Sequence, residues 1–112
     1  MTQIVNAGEL PGATSRQFEG YHYGEVGVSF FLSETPPGRG PSLHHHPYTE
    51  VFVVRAGQMT FVVGEEIIEA SAGQIIIVPP SMPHKFTNTG SEIAYHTDIH
   101  TANRMETTWL EA

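Results

Sequence analysis

Histidine is the side chain best suited to hold a transition metal or to move a proton near neutral pH, and this sequence has seven. Three are consecutive, His44, His45 and His46, with Glu50 just beyond them and His84 much later in the chain. Side chains alternate faces along an extended segment, so His44 and His46 point one way and His45 the other. Two imidazoles then converge on one point. Glu50 shares their parity, although Pro47 interrupts the pairing and weakens parity as a guide to its direction. His84 must come from a different strand. Three imidazoles and a carboxylate suit Fe, Mn, Ni, Cu or Zn at about 2.0–2.2 Å, bond lengths tabulated for zinc. A His-x-His pair in a polar loop is more often just solvated, so the spacing around it has to carry the case.

The elements that must position these side chains read as short strands. The 11 glycines and 8 prolines fall between runs rich in Val, Ile, Phe and Thr, and nothing resembles a long amphipathic helix. Met1 to Tyr23 reads as irregular, wrapping one edge of the domain. Val26 to Leu32 is the first clear strand, followed by a turn-rich loop from Ser33 to Ser42. Glu50 to Arg55 and Gln58 to Val63 are predicted as a hairpin turned at Gly57. Glu66 to Ala70, Gln74 to Val78, His84 to Asn88 and Ile93 to His100 continue a meander, which favours an antiparallel sandwich or barrel. Val51 to Val54 and Ile75 to Val78 are apolar at consecutive positions, so both faces of those strands are expected to be covered. In so small a domain that implies a homodimer.

Composition narrows the rest. A chain of 112 residues fits one domain, 1–112. The formal charge of -7 comes from 12 acids against 5 scattered bases, which argues against nucleic acid as a partner. Without cysteine there is no disulfide and no thiolate ligand, so any metal is held by nitrogen and oxygen. No stretch has the length of a membrane span and the N-terminus lacks the pattern of a signal peptide, so the expected location is cytoplasmic.

The spacing that matters runs Gly38, five residues, His44, one, His46, three, Glu50, six, Gly57. A second pattern runs Gly73, five residues, Pro79, one, Ser81, two, His84, three, Asn88. These segments, 38–57 and 73–88, resemble the paired motifs of the cupin superfamily at nine of ten positions, with 15 residues between them as in its compact microbial members. The resemblance implies an all-β antiparallel jelly-roll β-barrel with His44, His46, Glu50 and His84 as ligands of one divalent transition metal at its mouth. Ser81 departs from the pattern, standing where glycine is usual. A positive φ there would cost serine more than glycine.

If Glu50 faces the metal, Phe52 and Val54 share its face, Met59, Phe61 and Val63 line the facing strand, and Phe86 shares the face of His84. Together they would give the metal a dry surround for an organic ligand, with Val54, Phe61 and Val63 simply core. His45 is expected outward. His96, Asp98 and His100 share one face of the last long strand. His96 or His100 could transfer a proton near the metal, but the favoured reading turns Ile93, Tyr95, Thr97 and Ile99 inward and leaves these histidines at the surface or in a dimer contact. Arg39 could receive an acidic substrate, though a solvated arginine is the expected outcome. Tyr48, Met82, Phe31 and Tyr95 could border the mouth; His22 carries no signal. Thr101 to Ala112, with Trp109 and Leu110, reads as a closing turn with a structural role. The resemblance implies a metalloenzyme acting on a small organic molecule. Dioxygenase chemistry is favoured, isomerase, cyclase, decarboxylase or lyase chemistry is open, and Glu50 is the candidate catalytic group. The competing reading is a non-catalytic binding module for a small molecule or metal.

Overall fold

A computed structural model describes residues 2–112. The strands are β1 (Ser15–Glu19), β2 (Ser29–Thr35), β3 (His44–His45), β4 (Glu50–Ala56), β5 (Gln58–Val63), β6 (Glu66–Ser71), β7 (Ile75–Val78), β8 (His84–Asn88), β9 (Ala94–His100) and β10 (Thr108–Trp109). They form two five-stranded sheets of order β1-β2-β9-β4-β7 and β10-β3-β8-β5-β6, antiparallel throughout. Two short 3-10 turns, Ala7–Glu9 and Gly20–Tyr23, are the helical elements among the described residues.

Several boundaries differ from the sequence reading. The N-terminal segment, of which Met1 lies outside the described residues, is not irregular throughout: Ser15–Glu19 pairs with β2 at the sheet edge. The second strand starts at Ser29 and runs to Thr35, taking in residues assigned to a loop. The hairpin at Gly57 does not form. β4 pairs with β7 and β9, whereas β5 pairs with β6 and β8, so Gly57 carries the chain from one sheet to the other. Its φ of 92° and the 2.9 Å at which a Cβ would meet the Ala94 backbone both require glycine. A tight turn looks alike in sequence whether it closes a hairpin or rounds a corner between sheets. The true hairpin lies one strand later, where Val63 pairs with Glu66.

The interior is layered, and the strand register shows it. Glu50 lies opposite His100 and Val78, while across the gap His84 pairs with Val63 and with His44. One row on, Phe52 lies opposite Asp98 and Ile76, with Phe86 beside Phe61 on the other sheet. The third row brings Val54 beside His96, and Met59 beside Asn88. Phe52, Phe61 and Phe86 interlock with ring centroids 4.9–5.7 Å apart. They form a hydrophobic cluster with Val54, Met59 and Val63 as expected, joined by Ala70, Ile76, Val78 and Ala94, with Met82 packed against it. One end of the interior therefore gathers Glu50, His44, His84 and His100, while the rows beyond it are aromatic and aliphatic with Asp98, His96 and Asn88 buried among them.

Ser81 keeps the left-handed backbone usual for glycine, with φ 64°, and its N–H donates to the His46 carbonyl at 2.7 Å. That bond ties the turn before β8 to the loop carrying His46. The conformation costs a non-glycine residue about 1–2 kcal/mol, partly offset because glycine has more freedom to lose on folding. Ser81→Gly is expected to raise the free energy of unfolding by up to about 1 kcal/mol, measured by denaturant titration, with unchanged metal stoichiometry.

Candidate metal centre

β3 sets His44 directly opposite His84 of β8, and Glu50 opens β4 in the facing sheet. His46 sits in the connection between β3 and β4. One donor atom from each of His44, His46, Glu50 and His84 lies within 4.8 Å of all the others, and all four residues are buried. His45 points away, half-buried, beside a separate depression with Pro47 and Ser81.

Backbone carbonyls aim the three imidazoles. His44 Nδ1 is 2.8 Å from Ser42 O, His84 Nδ1 is 2.8 Å from Met82 O, and His46 Nδ1 is 2.8 Å from Glu106 O. A carbonyl only accepts, so each Nδ1 carries a proton and each Nε2 faces the centre. His46 Nε2 is buried without a hydrogen-bond partner, 3.1 Å from Glu50 Oε1. A lone pair facing a carboxylate oxygen is repulsive, and a cation between them relieves it. These donors therefore fit a divalent metal.

Charge in the cluster follows the same geometry. Burial lowers the pKa of His44 to about 4, so it is neutral at physiological pH. Burial alone would raise Glu50, but the surrounding His100, His46 and His84 imidazoles outweigh it and hold the carboxyl well below the usual range. Burial opposes charge on His84, yet its 3.0 Å bond to Glu50 Oε1 and the Met82 carbonyl raise its pKa above the ordinary value. With Nδ1 committed to Met82, only a protonated His84 can also donate through Nε2. Metal must displace that proton, so affinity should rise with pH, by about tenfold per unit below the folded pKa of His84. Calorimetric zinc titrations near pH 7 in buffers of different ionisation enthalpy should show proton release. Heat independent of buffer would mean that His84 is already neutral.

The reading of β9 is overturned. His96, Asp98 and His100 point inward and are buried, Ile93 and Tyr95 are exposed, and Thr97 and Ile99 are half-buried. Hydrogen bonding decides the direction, because every member of the polar face finds a buried partner. His100 Nε2 is 3.1 Å from Glu50 Oε2, and its Nδ1 is 2.5 Å from the Tyr48 hydroxyl. Burial raises Tyr48 to about 12, so it keeps its proton and donates to His100, while the Glu106 N–H donates to Tyr48 at 3.1 Å. A chain from Tyr48 through His100 thus ends on Glu50. His96 bonds Asp98 Oδ1 through Nδ1 at 2.5 Å and Thr35 Oγ1 through Nε2 at 2.8 Å. The alternate polar positions were a sequence signal for this face; the distant partners were not.

A cavity of about 580 Å³ opens above the cluster, lined by His44, His46, Glu50 and His100 and walled by Phe31, Phe52, Phe86 and Trp109. Arg39 is exposed, as expected, and also borders it. Trp109 does more than close the fold: β10 pairs with β3, and the Trp109 ring lies 4.9 Å from that of His44 at the rim. Tyr95 is exposed on the outer face, away from the mouth.

The family model of the cupin domain matches residues 31–100, more than half of the chain and a span that includes both motif segments. The chain is a cupin. A curated relative, the polyketide synthase CurC of Streptomyces cyaneus, is 39% identical over 59 residues, covering 52% of this cupin and 38% of the relative. Among solved structures, Bacillus subtilis oxalate decarboxylase with Mn(II) centres superposes with a TM-score of 0.77 at 19% identity, covering 88% of this chain and 29% of that one. The same enzyme at pH 4.6 gives 0.77 at 21% identity, covering 91% and 28%. These structural likenesses establish the fold. This cupin spans well under half the length of the curated relative and of both decarboxylase chains. No described helix is long and apolar enough to cross a membrane.

Proposed function

We propose that this cupin is a metalloenzyme that holds one divalent transition metal on His44, His46, Glu50 and His84 and acts on a small organic molecule in the adjoining cavity. The observation that carries the reading is the set of three imidazoles with carbonyl-fixed tautomers around one buried carboxylate, beside an aromatic-walled space. The two sheets close as a jelly-roll barrel, and residues 1–112 act as one domain. Bound there, the metal supplies open coordination positions for oxygen ligands and Lewis-acid or redox chemistry. Phe31, Phe52 and Phe86 hold the substrate and exclude water, Trp109 covers the rim, and Glu50 holds or takes a proton at Oε2, which His100 keeps oriented.

Dioxygenase-like chemistry is the leading reading. The Tyr48–His100–Glu50 chain favours a second one, proton-moving chemistry of the isomerase, cyclase, decarboxylase or lyase kind, because it links a carboxylate in the cavity to a group that keeps its proton. The curated relative's name supports a polyketide-like compound as substrate, and the structural neighbours support decarboxylation of a small acid. The outer face of the sheet β1-β2-β9-β4-β7 carries a row Ile77, Val51, Ile99 and Phe30, with Ile77 66% exposed, and a second copy of this chain is the partner proposed for it.

Elemental analysis of tag-free protein purified anaerobically, beside a His44→Ala/His84→Ala variant, is the first test. Near-stoichiometric Fe, Mn, Ni, Cu or Zn, absent from the variant, is the expected result. Metal-dependent turnover with O₂ consumption selects the oxygen reading, and turnover without it selects proton transfer. No metal after reconstitution, or steady binding without turnover over a broad panel of hydroxylated and carboxylated compounds, would defeat the enzyme reading.

A further inference from the structure

One buried polar group in the cavity has no place in the metal cluster. Asp98 lines the same space as Glu50 and His44, one row deeper in the sheet, beside Phe52 on β4 and Phe31 on β2. Two residues along a strand separate the rows, roughly 7 Å. Asp98 Oδ1 takes the Nδ1 hydrogen of His96, whose Nε2 is held by the Thr35 hydroxyl. Among the described residues the hydrogen bond of Asp98 runs through Oδ1, which leaves Oδ2 to the cavity that the residue lines. A carboxylate with one oxygen fixed and the other left to a space walled by aromatic rings needs a donor from whatever enters.

We propose that Asp98 is the second recognition point of the cavity, its Oδ2 accepting a hydrogen bond from a hydroxyl of a flat, oxygenated aromatic compound whose other end reaches the metal donors. This deepens the proposed function and rests on its metal site. Phe31, Phe52 and Phe86 provide flat contact between the two points, so ring systems with hydroxyls at opposite ends are selected over aliphatic acids of the same length. His96 is a positioning residue: it aims the Asp98 carboxylate, and Thr35 aims His96. Glu34 and Arg39 both stand at the rim, so the charge at the inner end is that of Asp98 itself, which favours a neutral hydroxyl donor there over a second carboxylate.

The test uses the full chain loaded with zinc and two probes that share a chelating pair, 2,3-dihydroxynaphthalene and 2,3,6-trihydroxynaphthalene. The third hydroxyl stands across the rings from the pair. Wild-type protein is expected to bind the trihydroxy probe about tenfold or more tightly over the dihydroxy probe, the value of a hydrogen bond to a charged acceptor. In Asp98→Ala that ratio falls to about one, while the dihydroxy probe still binds and zinc content is unchanged. His96→Gln gives an intermediate ratio. Because both probes are compared within each variant, a general loss of stability does not imitate the result. Equal affinities in the wild type, the same preference retained in Asp98→Ala, or no binding of either probe to zinc-loaded protein would overturn the role of Asp98. Failure of the wild type to take up zinc would instead remove the metal site beneath it.

Discussion

Stripping the metal from this cupin lowers its melting temperature by about 10–20 °C, and His84→Ala abolishes that response. An ion that binds the folded state alone, at free concentrations of about 100 times Kd, adds about 2.7 kcal/mol. In a domain of about 100 residues each kcal/mol moves Tm by about 4–8 °C. The structure supplies the reason for coupling. His46 Nε2 and Glu50 Oε1 face each other at 3.1 Å without a hydrogen bond, a buried repulsion that the cation relieves. Thermal scans with and without chelator, after metal removal is verified by elemental analysis, read the effect. A wild type that melts identically in both conditions would show that no bound ion stabilises the fold.

The second large effect lies in the core. Phe61 is fully buried, packs against Phe52 and Phe86, and sits outside the lining of the cavity. Phe61→Ala is expected to cost about 3–5 kcal/mol, a large part of the about 5–15 kcal/mol typical of a whole domain. Denaturant titration of the zinc-loaded variant checks it. A loss below about 1 kcal/mol would mean that the neighbouring rings collapse into the space. At low temperature, where the variant remains folded, zinc should still bind at one equivalent, because His84 keeps its carbonyl and carboxylate contacts.

Three residues of the proposed metal centre stood out by local spacing, and His84 by the resemblance of its own segment to the second motif. His44 and His46 share parity, Glu50 follows within the same segment, and Gly38, Gly57 and Gly73 mark turns that the structure takes with positive φ. The aromatic interior was legible through strand alternation at Phe52, Phe61 and Phe86. What escaped was whatever depended on pairing between distant segments. A polar face at His96, Asp98 and His100 loses to an aliphatic one by hydrophobicity alone. It wins here because Thr35, Glu50 and Tyr48 lie waiting as partners, and the aliphatic residues of β9 join an outer face already apolar at Val51 and Phe30. The place of Trp109 at the rim was not legible for a similar reason, since the pairing of β10 with the two residues of β3 leaves no mark in local sequence.

The link between His46 and Glu106 also bears on how the protein comes to hold its metal. The carbonyl that fixes the His46 tautomer lies 60 positions away, and Tyr48 meets His100 across 52. Contacts of such separation form late, after much of the chain has condensed. A nascent chain exposing only His44 to Glu50 presents imidazoles free to use either nitrogen, with no preference for the geometry of the finished site. Ion capture is then expected late in maturation, on a fold already closed around His46, rather than as a seed around which the fold grows.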